Sequence, residues 1–194
     1  LHKKIMMTAA YRMGSTESEA NKAVDPANRY WWKRAPRRLE AEAVRDSALA
    51  VSGMIDRRMY GAGTLDQGMK RRSIYFSVKR SKLIPMMQLF DWPDTMTSQG
   101  RRAITTTPSQ ALIFINSPQV REMAAHFAKI VLKSSDPLGT AVYRAHGALP
   151  SPERRAQLKK FLKEQTASYG GRQEPAMIDL CHALLASNEM IYVE

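Results

Sequence analysis

Apolar residues three and four positions apart recur along both ends of this chain and break off in its middle. From Leu1 to about Met13 they place Leu1, Ile5, Thr8 and Ala9 on one side of a helix that Gly14 ends. Residues 15–28 are rich in Ser, Glu, Asn and Asp and contain Asp25-Pro26, which reads as a surface linker. The best-marked helix runs from Pro36 to about Ser52. Leu39, Ala43, Val44, Ala48, Val51 and Ile55 form its buried stripe, its other face is charged, and Gly53 is placed to end it.

The periodicity then stops. Gly61, Gly63 and Gly68 interrupt a basic stretch, Arg72 to Val78 has the composition of a strand, and Leu83 to Phe90 suits a short helix. Pro85, Pro93, Gly100 and the threonines at 105 to 107 make the rest of residues 56–108 an irregular basic central segment. Helical signals return with Thr107-Pro108, Ser117-Pro118, Asp136-Pro137 and Ser151-Pro152, each a capping side chain before a first-turn proline. Val120, Met123, Ala124, Phe127, Ile130 and Val131 form one core stripe and Leu138, Ala141, Val142 and Ala145 a second. A third helix carries Leu158, Phe161 and Leu162, and a last one, from about Glu174, carries Met177, Leu180, Cys181, Leu184 and Leu185. The fold class expected is mainly α: a single helical domain spanning 1–194, with an irregular basic centre and room for one short β element.

Composition adds limits. A chain of 194 residues with 44% apolar content can build one sizeable core. No apolar run approaches the ~20 residues that cross a bilayer, and Leu1-His2-Lys3-Lys4 opens an amphipathic segment instead of a signal peptide. Cys181 is the one cysteine, so no internal disulfide and no Cys-x-x-Cys-His haem attachment is encoded. The expected cofactor content of this chain is therefore none. The 30 Lys+Arg against 18 Asp+Glu give a net charge of +12. Eleven of those twelve charges sit in residues 29–38, where no acid occurs, and in residues 70–102, where Asp91 and Asp94 are the acids. Such segments attract anions if folding leaves them exposed.

The candidate site is the run from Lys79 and Arg80 through Asp91, Trp92 and Asp94 to Arg101 and Arg102, where bases, acids and an aromatic meet on chain that must be loop-like. Guanidinium groups there suit carboxylate, sulfate or phosphate. The competing role is structural: Asp91 and Asp94 pair the arginines and hold a long loop on the core. Acid–base catalysis by Asp91 and Asp94 is the lesser reading, because Asp-Trp-Pro-Asp is also an ordinary turn sequence, and Trp92 covers the core more readily than it stacks on a sugar.

The remaining chemistry is sparse. His2, His126, His146 and His182 have no metal-ligand spacing. Cys181 and His182 are helical neighbours that point about 100° apart, so they make no nucleophile and base, and Cys181 falls on an apolar stripe. Met6, Met54, Met123 and Met177 belong to core stripes, whereas Met86-Met87 offers an adaptable contact surface. Arg29-Tyr30-Trp31-Trp32-Lys33-Arg34 interleaves rings and bases in the manner of a nucleic-acid binder, yet no nucleic-acid motif accompanies it, and Trp31 and Trp32 are expected to anchor the loop to the core.

Several stretches together resemble a known family. These are Ser77-Val78-Lys79-Arg80-Ser81-Lys82-Leu83-Ile84-Pro85, Leu89-Phe90-Asp91-Trp92-Pro93-Asp94 and Thr97-Ser98-Gln99-Gly100-Arg101-Arg102. With them go Thr8-Ala9-Ala10-Tyr11-Arg12, Asp25-Pro26-Ala27-Asn28-Arg29, the arginine-rich run from Arg37 to Asp46, Thr105 to Leu112, and Asp179 to Asn188-Glu189. The chain resembles a planctomycete domain of unknown function that accompanies planctomycete-type cytochrome c domains. It departs from the family at Ala141 to Pro150, where a Gly-Arg-Pro-Pro turn usually follows Leu-Tyr-Arg.

The resemblance implies a C-terminal portion of a larger family domain in an extracytoplasmic, periplasmic or secreted, setting. It also implies an accessory or interaction domain, not catalytic on its own, that binds an anionic polysaccharide or an acidic protein such as a c-type cytochrome. One alternative makes the chain part of the substrate site of a haem-dependent oxidoreductase whose haem lies in a separate or upstream domain. Nucleic-acid binding is the other, and the exterior setting weighs against it.

Overall fold

A helix starts readily where a side chain can satisfy its first backbone N–H groups, and five helices of this chain begin in that way. The computed structural model describes residues 1–93 and 95–193. Two compact units are present, Leu1–Arg38 with Tyr192 and Val193, and Leu39–Ile191.

The first unit holds α1 (His2–Met6), α2 (Glu19–Val24), β1 (Arg37–Arg38) and β2 (Tyr192–Val193). Ser18 Oγ caps α2 by accepting from Asn21 N at 3.4 Å. The strands pair antiparallel, Arg37 with Val193 and Arg38 with Tyr192. This is the short β element, far from where composition placed it. Neither helix buries a residue, so Ile5 and Met6 lie exposed and not in a core stripe. Between α2 and β1 the chain is held by its own polar groups. Asp25 accepts from Tyr30 N (2.8 Å) at its carboxylate and from Trp32 Nε1 (2.9 Å) at its carbonyl, while Asn28 Nδ2 donates to Lys33 O (2.8 Å). Trp32 is tied to its own loop at Asp25 and not, as expected, to the core. Trp31 is not held against the core either, being 76% exposed at φ 56°, because the Asp25 and Asn28 bonds force a reversal at that residue.

The second unit contains α3 (Ala41–Val51), α4 (Pro85–Leu89), α5 (Pro108–Asn116), α6 (Pro118–Val131), α7 (Pro137–His146), α8 (Pro152–Ser168), α9 (Gln173–Leu185) and α10 (Asn188–Ile191). Ser117, Asp136 and Ser151 cap α6, α7 and α8, each before its proline. Helices α6 and α9 form the centre, burying Val120, Met123, Ala124, Phe127, Ala128 and Val131 against Ala176, Met177, Leu180, Cys181, Leu184 and Leu185. A fully buried Phe or Leu contributes roughly 1.5–3 kcal/mol, so this pair is the largest packed contact of the unit. Phe90, just after α4, meets Phe114 of α5 edge-on, with ring centroids 5.8 Å apart. Buried Gln110 ties the same corner, its Nε2 donating to Leu89 O (3.0 Å) and Thr105 O (3.2 Å).

Three expectations need correcting. Arg72 to Val78 is not a strand, since Ser73–Tyr75 makes a 3-10 turn with Ser73 claimed by Asp46, and only single bridges join Thr64 to Phe76 and Asp56 to Arg71. The buried face of α3 is Ala41, Val44, Arg45, Ala48 and Leu49, rotated from the stripe through Leu39, Ala43 and Val51 because a charged residue is accepted inside. Leu158, Phe161 and Leu162 of α8 are only half buried, and no residue of that helix is fully enclosed.

Candidate functional site

The irregular segment between α3 and α5 is built on polar groups of α3. Arg45, 4% exposed, donates Nη1 to Arg71 O (3.1 Å) and Ser73 Oγ (3.1 Å) and Nη2 to Met69 O, with its guanidinium 4.7 Å from the centre of the Phe76 ring. Burial lowers its pKa, opposed by the adjacent Asp46. Asp46 Oδ1 accepts from Ser73 N (2.8 Å) and Ser73 Oγ (2.7 Å). Arg71 stacks 3.5 Å over the Tyr75 ring and donates to the carbonyls of Arg58, Tyr60 and Ala62. Loop carbonyls with no sheet partner are thereby satisfied by two guanidinium groups.

The second half of the segment is pinned one turn earlier on α3. Arg102 forms a two-pronged pair with Glu42, Nη1 to Oε2 and Nη2 to Oε1, both at 2.7 Å, and reaches Glu40 Oε2 at 3.1 Å. Trp92 Nε1 donates to the same Glu42 Oε1 at 3.0 Å. The Arg102 hydrogen bond holds the Glu42 carboxyl below its ordinary range despite partial burial. Asp91, at φ 61°, accepts from Thr105 N (2.7 Å) and Thr105 Oγ1 (2.8 Å) and so clips one side of the loop to the other. Asp91 thus ties the loop through Thr105, where the expected partners were the arginines. Asp94 lies outside the described residues.

The remaining candidates face outward. Lys82 N donates to Lys79 O at 3.0 Å, closing a tight turn, and Lys79, Arg80 and Lys82 are all exposed. Arg101 is exposed as well. None of these four has an ion pair among the described residues. The described acids of the segment are engaged elsewhere: Asp56 with Arg58 (2.6 Å), Asp66 with Gly68 N (2.9 Å) and Asp91 with Thr105. Six of the seven residues singled out from sequence thus divide into a clamp (Asp91, Trp92, Arg102) and an outward set (Lys79, Arg80, Arg101), with Lys82 joining the second; the seventh, Asp94, is outside the described residues. Sequence reading missed Glu40, Glu42 and Arg45, although Arg45 sits three and four positions from Glu42, Ala41, Ala48 and Leu49 on one helical face.

Little else is arranged for catalysis. Cys181 is fully buried and its thiol is pushed up to about 12 by desolvation. His182 Nε2 meets Phe114 O at 2.9 Å, turned to a backbone carbonyl. His146 Nε2 lies 2.9 Å from Ser187 Oγ, but that hydroxyl donates to Leu184 O (2.9 Å), and burial lowers the histidine's pKa. No cluster of three metal-ligating side chains occurs among the described residues. Met87 is fully buried, which removes it from any contact surface. No helix among the described residues is long and apolar enough to cross a membrane.

No curated protein and no solved structure matches this chain. Residues 1–162 match the family described as PSD1, protein of unknown function (DUF1553), and the chain belongs to that family.

Proposed function

We propose that the unit Leu39–Ile191 is a non-catalytic interaction module that docks an acidic protein through the turn Lys79–Lys82. One observation carries this reading: three exposed cations share a tight turn that has no acid paired to it among the described residues. Clustered like charges repel one another, and an anionic partner relieves that repulsion and speeds encounter. Val78 (61% exposed) and Leu83 (37% exposed) flank the turn. Aliphatic groups beside bases suit a protein surface better than a sugar polymer, which supports an acidic protein such as a c-type cytochrome over an anionic polysaccharide. The resemblance to the cytochrome-associated planctomycete family supports an extracytoplasmic setting with haem on a separate or upstream domain.

The test compares an acidic c-type cytochrome, dextran sulfate and duplex DNA at one ionic strength, using the chain and a Lys79→Gln/Arg80→Gln/Lys82→Gln variant. The cytochrome should bind selectively, and the variant should lose at least about tenfold, roughly 1.4 kcal/mol. Preference for dextran sulfate would replace the protein partner by a polysaccharide, and equal weak binding that vanishes with salt would remove the site. Arg102→Ala is unsuitable as a binding probe, since it dismantles the clamp on Glu42.

A further inference from the structure

Helix α8 packs on α9 and α7 and encloses none of its own residues fully. Its Leu158, Phe161 and Leu162 are only partly buried, and between α8 and its neighbours lies a cavity of about 500 Å³. That volume falls within the roughly 300–1,000 Å³ usual for small-molecule sites. Leu138 and Met177 are buried in its floor, with Leu132 and Leu162 beside them. The rim is cationic. Arg155, Lys159 and Lys163 follow one another at every fourth position of α8, so they stand in one row, and like charges so spaced destabilise a helix.

Among the described residues, only the first of the three is in an ion pair. Asp136 takes Arg155 in a two-pronged pair (3.0 and 2.7 Å) and caps α7 at Gly139 N (3.1 Å). A Cβ at residue 139 would lie 2.1 Å from Asp136 Oδ2 and 2.7 Å from Arg155 Nη2, so glycine there is what allows the pair to close this wall. Lys159 and Lys163 are exposed and have no ion pair among the described residues. An apolar floor under two exposed ammonium groups without ion pairs among the described residues is complementary to one kind of small molecule.

We propose that this cavity binds a small amphipathic organic anion, its apolar body against Leu138, Leu162 and Met177 and its carboxylate-type head between Lys159 and Lys163. The site is distinct from the Lys79–Lys82 turn and does not depend on it. Calorimetric titration of the 194-residue chain with decanoate below its micellar concentration, and with the uncharged decanol, tests the idea. Decanoate should bind at least about tenfold more tightly than decanol. Lys159→Gln/Lys163→Gln should remove that advantage and leave decanol unchanged, while Lys160→Gln and the Lys79→Gln/Arg80→Gln/Lys82→Gln variant should behave as wild type. Thr166→Phe, which fills the cavity, should abolish both; folding of each variant is checked by circular dichroism. Equal affinity for the two probes, no binding of either, or undiminished decanoate binding by the double lysine variant would overturn the proposal.

Discussion

Replacing Arg45 by Met removes a guanidinium that is 4% exposed and supplies bonds to Arg71 O, Ser73 Oγ and Met69 O. Hydrogen bonds to charged groups contribute about 1.5–3 kcal/mol each, and breaking a buried charged arrangement at one partner costs about 3–5 kcal/mol. Met restores apolar contact with Phe76, and the freed carbonyls can reach water if the loop lifts. The net cost is therefore set near the lower bound, about 3 kcal/mol, with a fall in Tm of about 6–12 °C for a unit of this size. Urea unfolding followed by circular dichroism should show a lower midpoint at unchanged slope. Hydrogen exchange should quicken first in residues 56–78, because their backbone is anchored through this side chain. Arg45→Lys should fall between, as one ammonium cannot span three acceptors. A loss under about 1 kcal/mol for Arg45→Met, with exchange in 56–78 unchanged, would refute the claim that Arg45 organises the segment.

Three further outcomes follow from the geometry. Gly139→Ala, normally worth about 1 kcal/mol in favour of a helix, should here destabilise by about 1–2 kcal/mol. The new methyl displaces Asp136 from its cap and from Arg155, and thermal melting reads the sign. Cys181 should resist thiol reagents at pH 8 until the chain unfolds. Its folded pKa of about 12 lies above the ordinary thiol value of 9.0, so the unfolded chain binds fewer protons between those values and stability falls as pH rises, by at most about 1.4 kcal/mol per unit; Cys181→Ala should remove that slope. Glu189 is held down to about 2 by its Arg154 hydrogen bond. Its contribution is present above the ordinary value of 4.5 and is lost as pH falls toward 2; the pair is more than a third exposed, so the energy is small, and NMR titration of Arg154→Gln should show the carboxyl returning upward.

The helices after Thr107 were legible because their signals are local. A capping hydroxyl or carboxylate, a proline at the first turn and an apolar stripe all fall within about fifteen residues, and they mark α5, α6 and α7 at their starts. The two-residue strands were not legible, since β1 and β2 are joined from opposite ends of the chain and too short to carry a period. The face of α3 was misjudged for a different reason. An arginine breaks the hydrophobic pattern, yet here it belongs to the buried face, and only the fold shows that the loop carbonyls facing it need a donor. Half-burial of α8 was likewise hidden, because Leu158, Phe161 and Leu162 look the same in sequence whether a neighbour covers them or a cavity does.

The central segment shows most plainly why a basic stretch cannot be interpreted by charge alone. Arg101 and Arg102 are adjacent and chemically identical. Arg102 is consumed by Glu40 and Glu42, some sixty residues earlier, whereas Arg101 is left to solvent. The same division separates Arg71, spent on three carbonyls and a tyrosine ring, from Lys79, Arg80 and Lys82. What divides them is whether the folded chain offers an acceptor, a property of α3 and the turns around it and not of the segment itself. A composition-level excess of positive charge therefore overstates the interaction surface. Subtracting Arg102, which serves the scaffold, shrinks the bases singled out between residues 79 and 102 to one turn and Arg101, a target small enough for a triple substitution at the turn that leaves the Arg45, Arg71 and Arg102 anchors in place.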